Sequence, residues 1–366
     1  MSHPQVLFLG DLDESLPQFQ EFQQSFDIIH YKLSTKQAFL EKLPSDFNKV
    51  EAIYAGWLGF ASIGGLTKDI IEQLPDSLKV ISITSVGHDQ YDTVALKAKG
   101  IKLYNTPSLG AEAVADTVLW HVLESFRHFS RFQSRTRQFG NTVKARNYLH
   151  ANDWDFQKGK VVGDAQHYQH EYPFGEIAGR GLNVGSPIGK VCGIVGFGTI
   201  GKAIGRRLKA IGMEIKYHQR NEIFREAELE LGYEVDYVEN LKDLVKVSDV
   251  VILSLPGNAV TKGIISEEVL DSFKRGGKLI NVGRGILLES EGLVVDRLET
   301  GALSFYGADV FVGEPTIDSR LLERDDVSLT PHIGSSTKEN FDNTAIFALS
   351  NISAVLKGEV GESLVC

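Results

Sequence analysis

With 366 residues, the chain is longer than one hydrophobic core usually supports and points to two domains. Its hydrophobic content of 42% and charged content of 23% are those of an ordinary globular protein, which excludes disordered and fibrous classes. A formal charge of −10 argues against a general nucleic-acid-binding surface and leaves room only for a local basic patch.

Cys192 and Cys366 give neither a disulfide framework nor a metal-binding spacing. Charge appears early at the N-terminus with no long apolar run behind it, so neither a signal peptide nor a membrane span is expected. The expected setting is a reduced, cytoplasmic one.

Apolar runs predict strands at Gln5 to Leu9, Phe26 to Tyr31, Val50 to Ala55 and Leu78 to Thr84. Ile70, Ile71 and Leu74 form a helical stripe before the last of these. The alternation describes a small parallel α/β unit over about the first hundred residues. Ser85 to Asp92 follows the Leu78 strand as a glycine-containing loop, where backbone N–H groups could face a ligand or simply turn the chain. His88 reads as a substrate contact or a solvated loop residue. Trp57, Leu58 and Phe60 read as an apolar wall or as lobe core. Leu103 to Pro107 predicts a strand ending at proline.

From Ala111 the spacing of Val114, Val118, Val122 and Phe126 predicts a long helix, marking the first domain crossing. Arg131 to Arg137 is basic, and Asn141 to Gly185 reads as an irregular surface or subunit-contact excursion. His150, His167 and His170 fall within it without the companions a zinc site needs, so no metal is expected.

Val191 to Val195 is a short apolar strand running into Gly196, Phe197, Gly198, Thr199, Ile200 and Gly201, followed by Ala203, Ile204, Leu208 and Ile211 at helical spacing. Strand, glycine turn and helix in that order predict a dinucleotide site. The first glycine makes the turn, the second lets backbone approach a pyrophosphate, and the third lets the helix approach the sheet. The helix N-terminus supplies N–H groups for the phosphates.

The next strand, Glu214 to Tyr217, leads through His218, Gln219 and Arg220 where a ribose-binding Asp or Glu is usual. A carboxylate would repel a 2′-phosphate, whereas Gln219 can hydrogen-bond it and Arg220 can pair with it. The expected cofactor is NADP(H), with NAD(H) possible because Glu222 is near. Further strands are predicted at Tyr233 to Val238, Val250 to Leu255, Lys278 to Val282, Ser304 to Val310 and Val327 to Thr330. Leu241 and Leu244, Ile264 to Phe273, Glu289 to Leu298 and Phe341 to Leu356 read as helical, and the last is long enough to return to the first lobe.

Arg284, Glu314 and His332 each fall at or beyond a predicted strand end, where ligands bind in this architecture. Arginine offers a two-pronged donor to the carboxylate of a 2-oxo acid. Hydride delivery to the neighbouring carbonyl builds charge on oxygen, and a histidine, here His332, is the side-chain type suited to protonate it. Glu314 would hold the other ring nitrogen and favour the protonated imidazole. Asp309 is better placed for the nicotinamide side than for proton transfer.

The chain resembles the D-2-hydroxyacid dehydrogenase family from about Val80 onward. The resemblance is carried by SVGHDQYD at Ser85 to Asp92, GFGTIG at Gly196 to Gly201, LPGNAVT at Leu255 to Thr261, NVGRG at Asn281 to Gly285, ADVFVGEP at Ala308 to Pro315 and PHIG at Pro331 to Gly334. It implies two Rossmann-like or flavodoxin-like α/β domains with open parallel sheets, helices on both faces and a cleft between the domains. The substrate domain would be 1–108 plus 333–366, and the NAD(P)-binding domain 109–332.

The resemblance further implies that Arg284 binds substrate, Glu314 orients the histidine and His332 is the acid/base. Backbone at Val86 and Gly87 would bind the substrate carboxylate, and Asp309 the nicotinamide carboxamide. Leu255, Pro256, Thr261, Val282, Gly283, His332 and Gly334 would join the glycine turn, Gln219 and Arg220 around the cofactor. Glu314, rather than the Gln of related formate dehydrogenases, argues for an ordinary 2-oxo acid reductase. The expected activity is reduction of glyoxylate, hydroxypyruvate or a bulkier analogue to the D-2-hydroxy acid by a homodimer. The competing expectation is a dinucleotide-sensing interaction protein on the same fold.

Overall fold

The computed structural model describes residues 3–57, 59–107, 109–165 and 172–366. Leu58, His167 and His170 therefore lie outside the described residues. The chain divides into two units, Met1–Gly110 with Ser336–Cys366, and Ala111–Ser335.

In the first unit, β1 (Gln5–Leu9), β2 (Asp27–His30), β3 (Val50–Ala55), β4 (Val80–Ile83) and β5 (Lys102–Tyr104) form a parallel sheet of order β2-β1-β3-β4-β5. The connecting helices are α1 (Pro17–Phe22), α2 (Lys36–Lys42), α3 (Lys68–Ile71) and α4 (Thr93–Lys99). Alternate residues of β1 face opposite sides, and both sides are covered. Val6 and Phe8 join Tyr54 and the C-terminal helix Lys338–Leu356 through Ala345, Ala348, Leu349 and Ile352. Leu7 and Leu9 join Phe39, Phe60, Leu66, Ile70 and Leu96.

Phe60 is thus lobe core: it is fully buried, with its ring edge-on to Phe39 at 5.7 Å and to Tyr91 at 6.0 Å. Trp57, in contrast, is 48% exposed. The chain end returns antiparallel beside β5, where Val365 N donates to Leu103 O at 2.8 Å and Leu103 N to Cys366 O at 3.0 Å.

The second unit begins with α5 (Ala111–Arg127), α6 (Phe129–Phe139) and α7 (Thr142–Ala151), then the antiparallel pair β6 (Asp153–Asp155) and β7 (Lys160–Val162). There follow β8 (Val191–Val195), α8 (Thr199–Ala210), β9 (Glu214–His218), α9 (Arg225–Leu229), β10 (Asp236–Tyr237), α10 (Leu241–Val247) and β11 (Val250–Leu253). The unit closes with α11 (Glu267–Leu270), β12 (Gly277–Asn281), α12 (Glu291–Glu299), β13 (Leu303–Ala308), α13 (Ser319–Leu322) and β14 (Val327–Leu329). The main sheet is parallel, of order β10-β9-β8-β11-β12-β13-β14, and its order reverses between β8 and β11. One face packs on Val118 and Val122 of α5 with Ile204 and Leu208 of α8; the other packs on Leu244, Val294, Val295 and Leu298.

Strand register then places the loops. His218, Val195, Leu253, Asn281, Ala308 and Leu329 stand side by side across the sheet. Because every strand is parallel, Gln219, Gly196, Ser254, Val282, Asp309 and Thr330 all leave the same edge.

Two expectations differ from the structure. Of Ile264 to Phe273 only α11 is helical, capped by the Ser266 hydroxyl, because Ile265 instead bridges to Leu288 beside the sheet. The segment expected to be irregular holds α7, whose first turn is capped by the Asn141 side chain accepting from Val143 N and Lys144 N. Its buried apolar residues are Ala145 and Leu149, four apart, a stripe too short to stand out among glycines and aromatics. The segment is also tied down by cations. Arg131 lies 4.1 Å over the Trp154 ring and donates to Ala178 O at 2.8 Å, while Arg324 pairs with Asp326 and donates to Phe156 O, both at 2.8 Å.

The Arg324 and Asp326 side chains are only 3% and 2% exposed. Replacing Arg324 by Ala leaves a buried carboxylate unpaired and should cost about 3–5 kcal/mol, read as a lower urea midpoint. Removing Asp326 as well should recover part of the loss. An unchanged midpoint in the single variant would show that the pair does not hold the segment. Among the described residues, no helix is long and apolar enough to cross a membrane.

Candidate active site

The glycine turn after β8 fits a pyrophosphate. Gly196 sits at φ +96°, a conformation side chains resist, and Ser254 Oγ donates to its carbonyl at 2.6 Å. A β-carbon on Gly201 would lie 2.3 Å from the Gly196 carbonyl oxygen, so only glycine lets α8 begin this close to the strand. A β-carbon on Gly198 would meet nothing within 4 Å, leaving its backbone open to a ligand. The first-turn N–H groups at Thr199 and Ile200 have no intrahelical acceptors by geometry and suit phosphate oxygens. Phe197 is buried and stacked on Tyr217 at 4.4 Å, so only its backbone belongs to the turn.

Gln219 is tied to this turn. Its Oε1 accepts from Phe197 N at 3.3 Å and its Nε2 donates to Asn221 O at 2.7 Å, while Arg220 and Glu222 are exposed beside it. Beyond β11, Leu255 N lies 3.0 Å from where a Gly196 β-carbon would stand. Thr261 Oγ1 donates to Pro256 O at 2.7 Å and accepts from Asn258 N at 2.9 Å, closing that loop on itself.

Beyond β12, the loop carrying Arg284 is organised by Asn281, a residue the sequence motifs left without a role. Its buried side chain accepts from Gly283 N at 3.1 Å and donates to Arg284 O at 3.0 Å. Arg284 Nη1 in turn donates to Gly283 O at 2.8 Å, and Val282 is buried beneath. The available signal was a lone polar residue closing the run Leu279, Ile280, Asn281. Gly285 meets the next loop directly, since a β-carbon there would fall 1.9 Å from Phe311 O.

Beyond β13 and β14, Glu314 Oε2 lies 3.1 Å from His332 Nδ1, and Glu314 Oε1 accepts from Phe311 N at 2.8 Å. Burial works against ionisation of Glu314. The hydrogen bonds from His332 and Phe311 N, with the charges of His332 and Arg284, outweigh it and hold the carboxyl below its ordinary value. It therefore stays ionised at neutral pH.

His332 itself adopts φ +56°. That turn is held by Asp309, only 3% exposed, which accepts from Thr330 Oγ1 at 2.7 Å, Ile333 N at 2.8 Å and Gly334 N at 2.7 Å. Both Asp309 oxygens thus anchor the histidine loop.

In the first unit, Val86 is 44% exposed and its carbonyl accepts from Asn105 Nδ2 at 2.7 Å, while Ser85 Oγ donates to Gly87 O at 2.8 Å. His88 lines an open recess of about 550 Å³ with Thr93, Val94, Lys97, Val365 and Cys366. Among the described residues, no group of three or more His, Cys, Asp or Glu side chains could hold a metal ion.

The chain is similar in sequence and fold to known proteins. Residues 119–334 match the family described as D-isomer specific 2-hydroxyacid dehydrogenase, NAD binding domain. A Saccharomyces cerevisiae protein named provisionally as a 2-hydroxyacid dehydrogenase is 35% identical, with 97% of this chain and 94% of that protein covered. The holo structure of Rhodotorula graminis D-mandelate dehydrogenase matches with a TM-score of 0.85 at 29% identity, covering 100% of this chain and 98% of that one. An NADPH-dependent glyoxylate/hydroxypyruvate reductase of Sinorhizobium meliloti, solved with NADP and malonate, matches with a TM-score of 0.76 at 25% identity, covering 100% and 97%. This protein is an oxidoreductase that uses a nicotinamide dinucleotide, and it belongs to the D-isomer specific 2-hydroxyacid dehydrogenase family.

Proposed function

We propose that the protein reduces a 2-oxo acid, glyoxylate, hydroxypyruvate or a bulkier analogue, to the D-2-hydroxy acid, with NADPH preferred over NADH. The observation that carries this reading is the Glu314 to His332 contact at 3.1 Å, on loops leaving the same sheet edge as the glycine turn and Arg284. The dinucleotide, when bound, supplies the hydride. Arg284 binds the substrate carboxylate and polarises the adjacent carbonyl, and Val86 and Gly87 are the backbone contribution to that carboxylate. His332 gives the proton to the carbonyl oxygen as negative charge develops there, and Glu314 holds Nδ1 so that the other ring nitrogen faces outward for the transfer.

The cofactor side would comprise Gly196 to Gly201, Gln219, Arg220, Leu255, Pro256, Thr261, Val282, Gly283, Asp309 and Gly334. Its NADPH preference rests on a neutral residue at position 219 with the exposed Arg220 beside it. Gln219 spends its carbonyl oxygen on Phe197 N, so Arg220 is the main contact for a 2′-phosphate and Gln219 chiefly spares it a repulsion. Homodimer formation belongs to the same proposal, supported by exposed Trp120 on α5 and Phe129 on α6.

The test is oxidation of NADPH and NADH against glyoxylate, hydroxypyruvate, pyruvate, a branched 2-oxo acid and phenylpyruvate, with wild type and Gln219→Asp. Wild type should turn over with NADPH favoured. The variant should lose about tenfold or more of that preference, because a carboxylate facing a 2′-phosphate is a like-charge contact. Equal use of both cofactors by wild type, unchanged in the variant, would remove position 219 from the discrimination. Turnover with none of the acids would sink the substrate class.

A further inference from the structure

Glu291 belongs to none of the motifs around the site, yet its carboxylate is built into the loop that carries Glu314. It is the first residue of α12 and is only 6% exposed. Its Oε1 accepts from Val312 N at 3.1 Å, and the Asp318 backbone lies beside the same carboxylate. One buried acid therefore holds the start of the arc from Val312 to Asp318 and lies against its end, and Glu314 is within that arc.

The neighbouring amide, Phe311 N, is taken by Glu314 itself, so two carboxylates hold two successive peptide groups. On the near side, the Gly285 backbone leaves no room for even a β-carbon against Phe311 O, which blocks retreat toward the Arg284 loop. Filling this space with an acid is expensive. Burial opposes its ionisation, and Asp318 and Glu314 add like charge. The cation nearby, Arg320, is already paired with Asp318 at 2.7 Å. The groups facing Glu314 are His332 and Arg284 on one side and Glu291 on the other. An apolar side chain would fill the site with less penalty, so the carboxylate is accounted for by the amide it holds.

We infer that Glu291 is a positioning residue for the acid–base pair: by holding the amide of Val312 it keeps Glu314 within hydrogen-bonding reach of His332. The inference rests on the proposed roles of Glu314 and His332. It predicts coupling that a merely structural residue would not show. If the arc relaxes, the Glu314 carboxylate withdraws and a protonated ring at His332 loses its ionic partner. Reduction needs the protonated ring, so the alkaline limb of the rate profile must move down.

The experiment is 2-oxo acid reduction across pH for wild type, Glu291→Ala, Glu291→Gln, Glu314→Gln and the Glu291→Ala/Glu314→Gln double variant. NADPH binding and circular dichroism are measured in parallel, and His332→Asn serves as control. Glu314→Gln should shift the alkaline limb of kcat/KM downward by about one pH unit. Glu291→Ala should shift it in the same direction, and the double variant no further than Glu314→Gln alone. Glu291→Gln, whose amide oxygen still accepts from Val312 N, should keep the wild-type limb.

A Glu291→Ala limb at the wild-type position, or shifts that add in the double variant, overturns the inference. Should Glu291→Ala not fold, Glu291→Asp keeps the charge but shortens the reach: a displaced limb supports the inference and an unmoved one overturns it. His332→Asn separates the two levels. If it stays active, the proposed proton donor is wrong; if it is inactive while Glu291 variants leave the limb unmoved, only the role of Glu291 fails.

Discussion

Replacing His332 by Asn is expected to lower 2-oxo acid turnover by about 10²–10⁴-fold, the usual contribution of a positioned general acid, while NADPH binding is retained. Asparagine is the informative choice because residue 332 sits at φ +56°. Most residues with a β-carbon, histidine and alanine alike, bear about 1–2 kcal/mol of strain in that conformation, whereas asparagine tolerates it and still removes the proton donor. Steady-state rates and a fluorescence titration with NADPH separate the two readouts. Turnover retained in the folded variant would take His332 out of the proton path. Loss of NADPH binding together with turnover would instead point to collapse of the loop that Asp309 anchors through Ile333 N and Gly334 N.

Removing the guanidinium by Arg284→Ala should lower kcat/KM by a comparable amount for a different reason. Two charge-assisted hydrogen bonds to a carboxylate are worth about 1.5–3 kcal/mol each, so roughly 10²–10⁴-fold is at stake. Arg284→Lys restores a charge but not the planar fork, and should recover only part of the loss. The pattern distinguishes substrate binding from a supporting role. A substrate contact predicts a raised KM and a lowered kcat with an unmoved pH profile, because the Glu314 to His332 contact at 3.1 Å remains. If Arg284→Ala changed neither constant, the arginine would be a partner of its own loop, where it already donates to Gly283 O.

What could be read from the chain was what is local. A strand, a glycine turn and a helix follow one another within Val191 to Ala210, and the structure forms them in that order because apolar periodicity and glycine geometry act over a few residues. The three polar residues beyond strand ends were legible for the same reason, since a parallel sheet delivers every such loop to one edge. Asn281 left only the trace of a polar residue closing an apolar run, though its amide partner Gly283 is two residues on, whereas Glu291 was not legible, because Val312 N is far from it in sequence and no spacing rule connects them.

The segment from Asn141 to Gly185 hid its helix because its inward stripe is short, and because its anchors, Arg131 and Arg324, act on residues distant along the chain. Gln219 shows a subtler limit. Its type was read for what it could offer a phosphate, but its carbonyl oxygen is already committed to the turn it borders. Phe60 likewise could be lining or core by type alone, and burial against Phe39 and Tyr91 decides for core.

The return of the chain end along β5 has a consequence for the protein in crowded solution. Without it, Leu103 and Asn105 would present an unbroken row of backbone donors and acceptors at the border of the first sheet, a template for another molecule's strand. Their N–H groups instead donate to Cys366 O and Ser363 O, and Val365 N fills the Leu103 carbonyl. The border is thereby sealed from within, and intermolecular strand addition, the first step toward aggregation, finds no open register there.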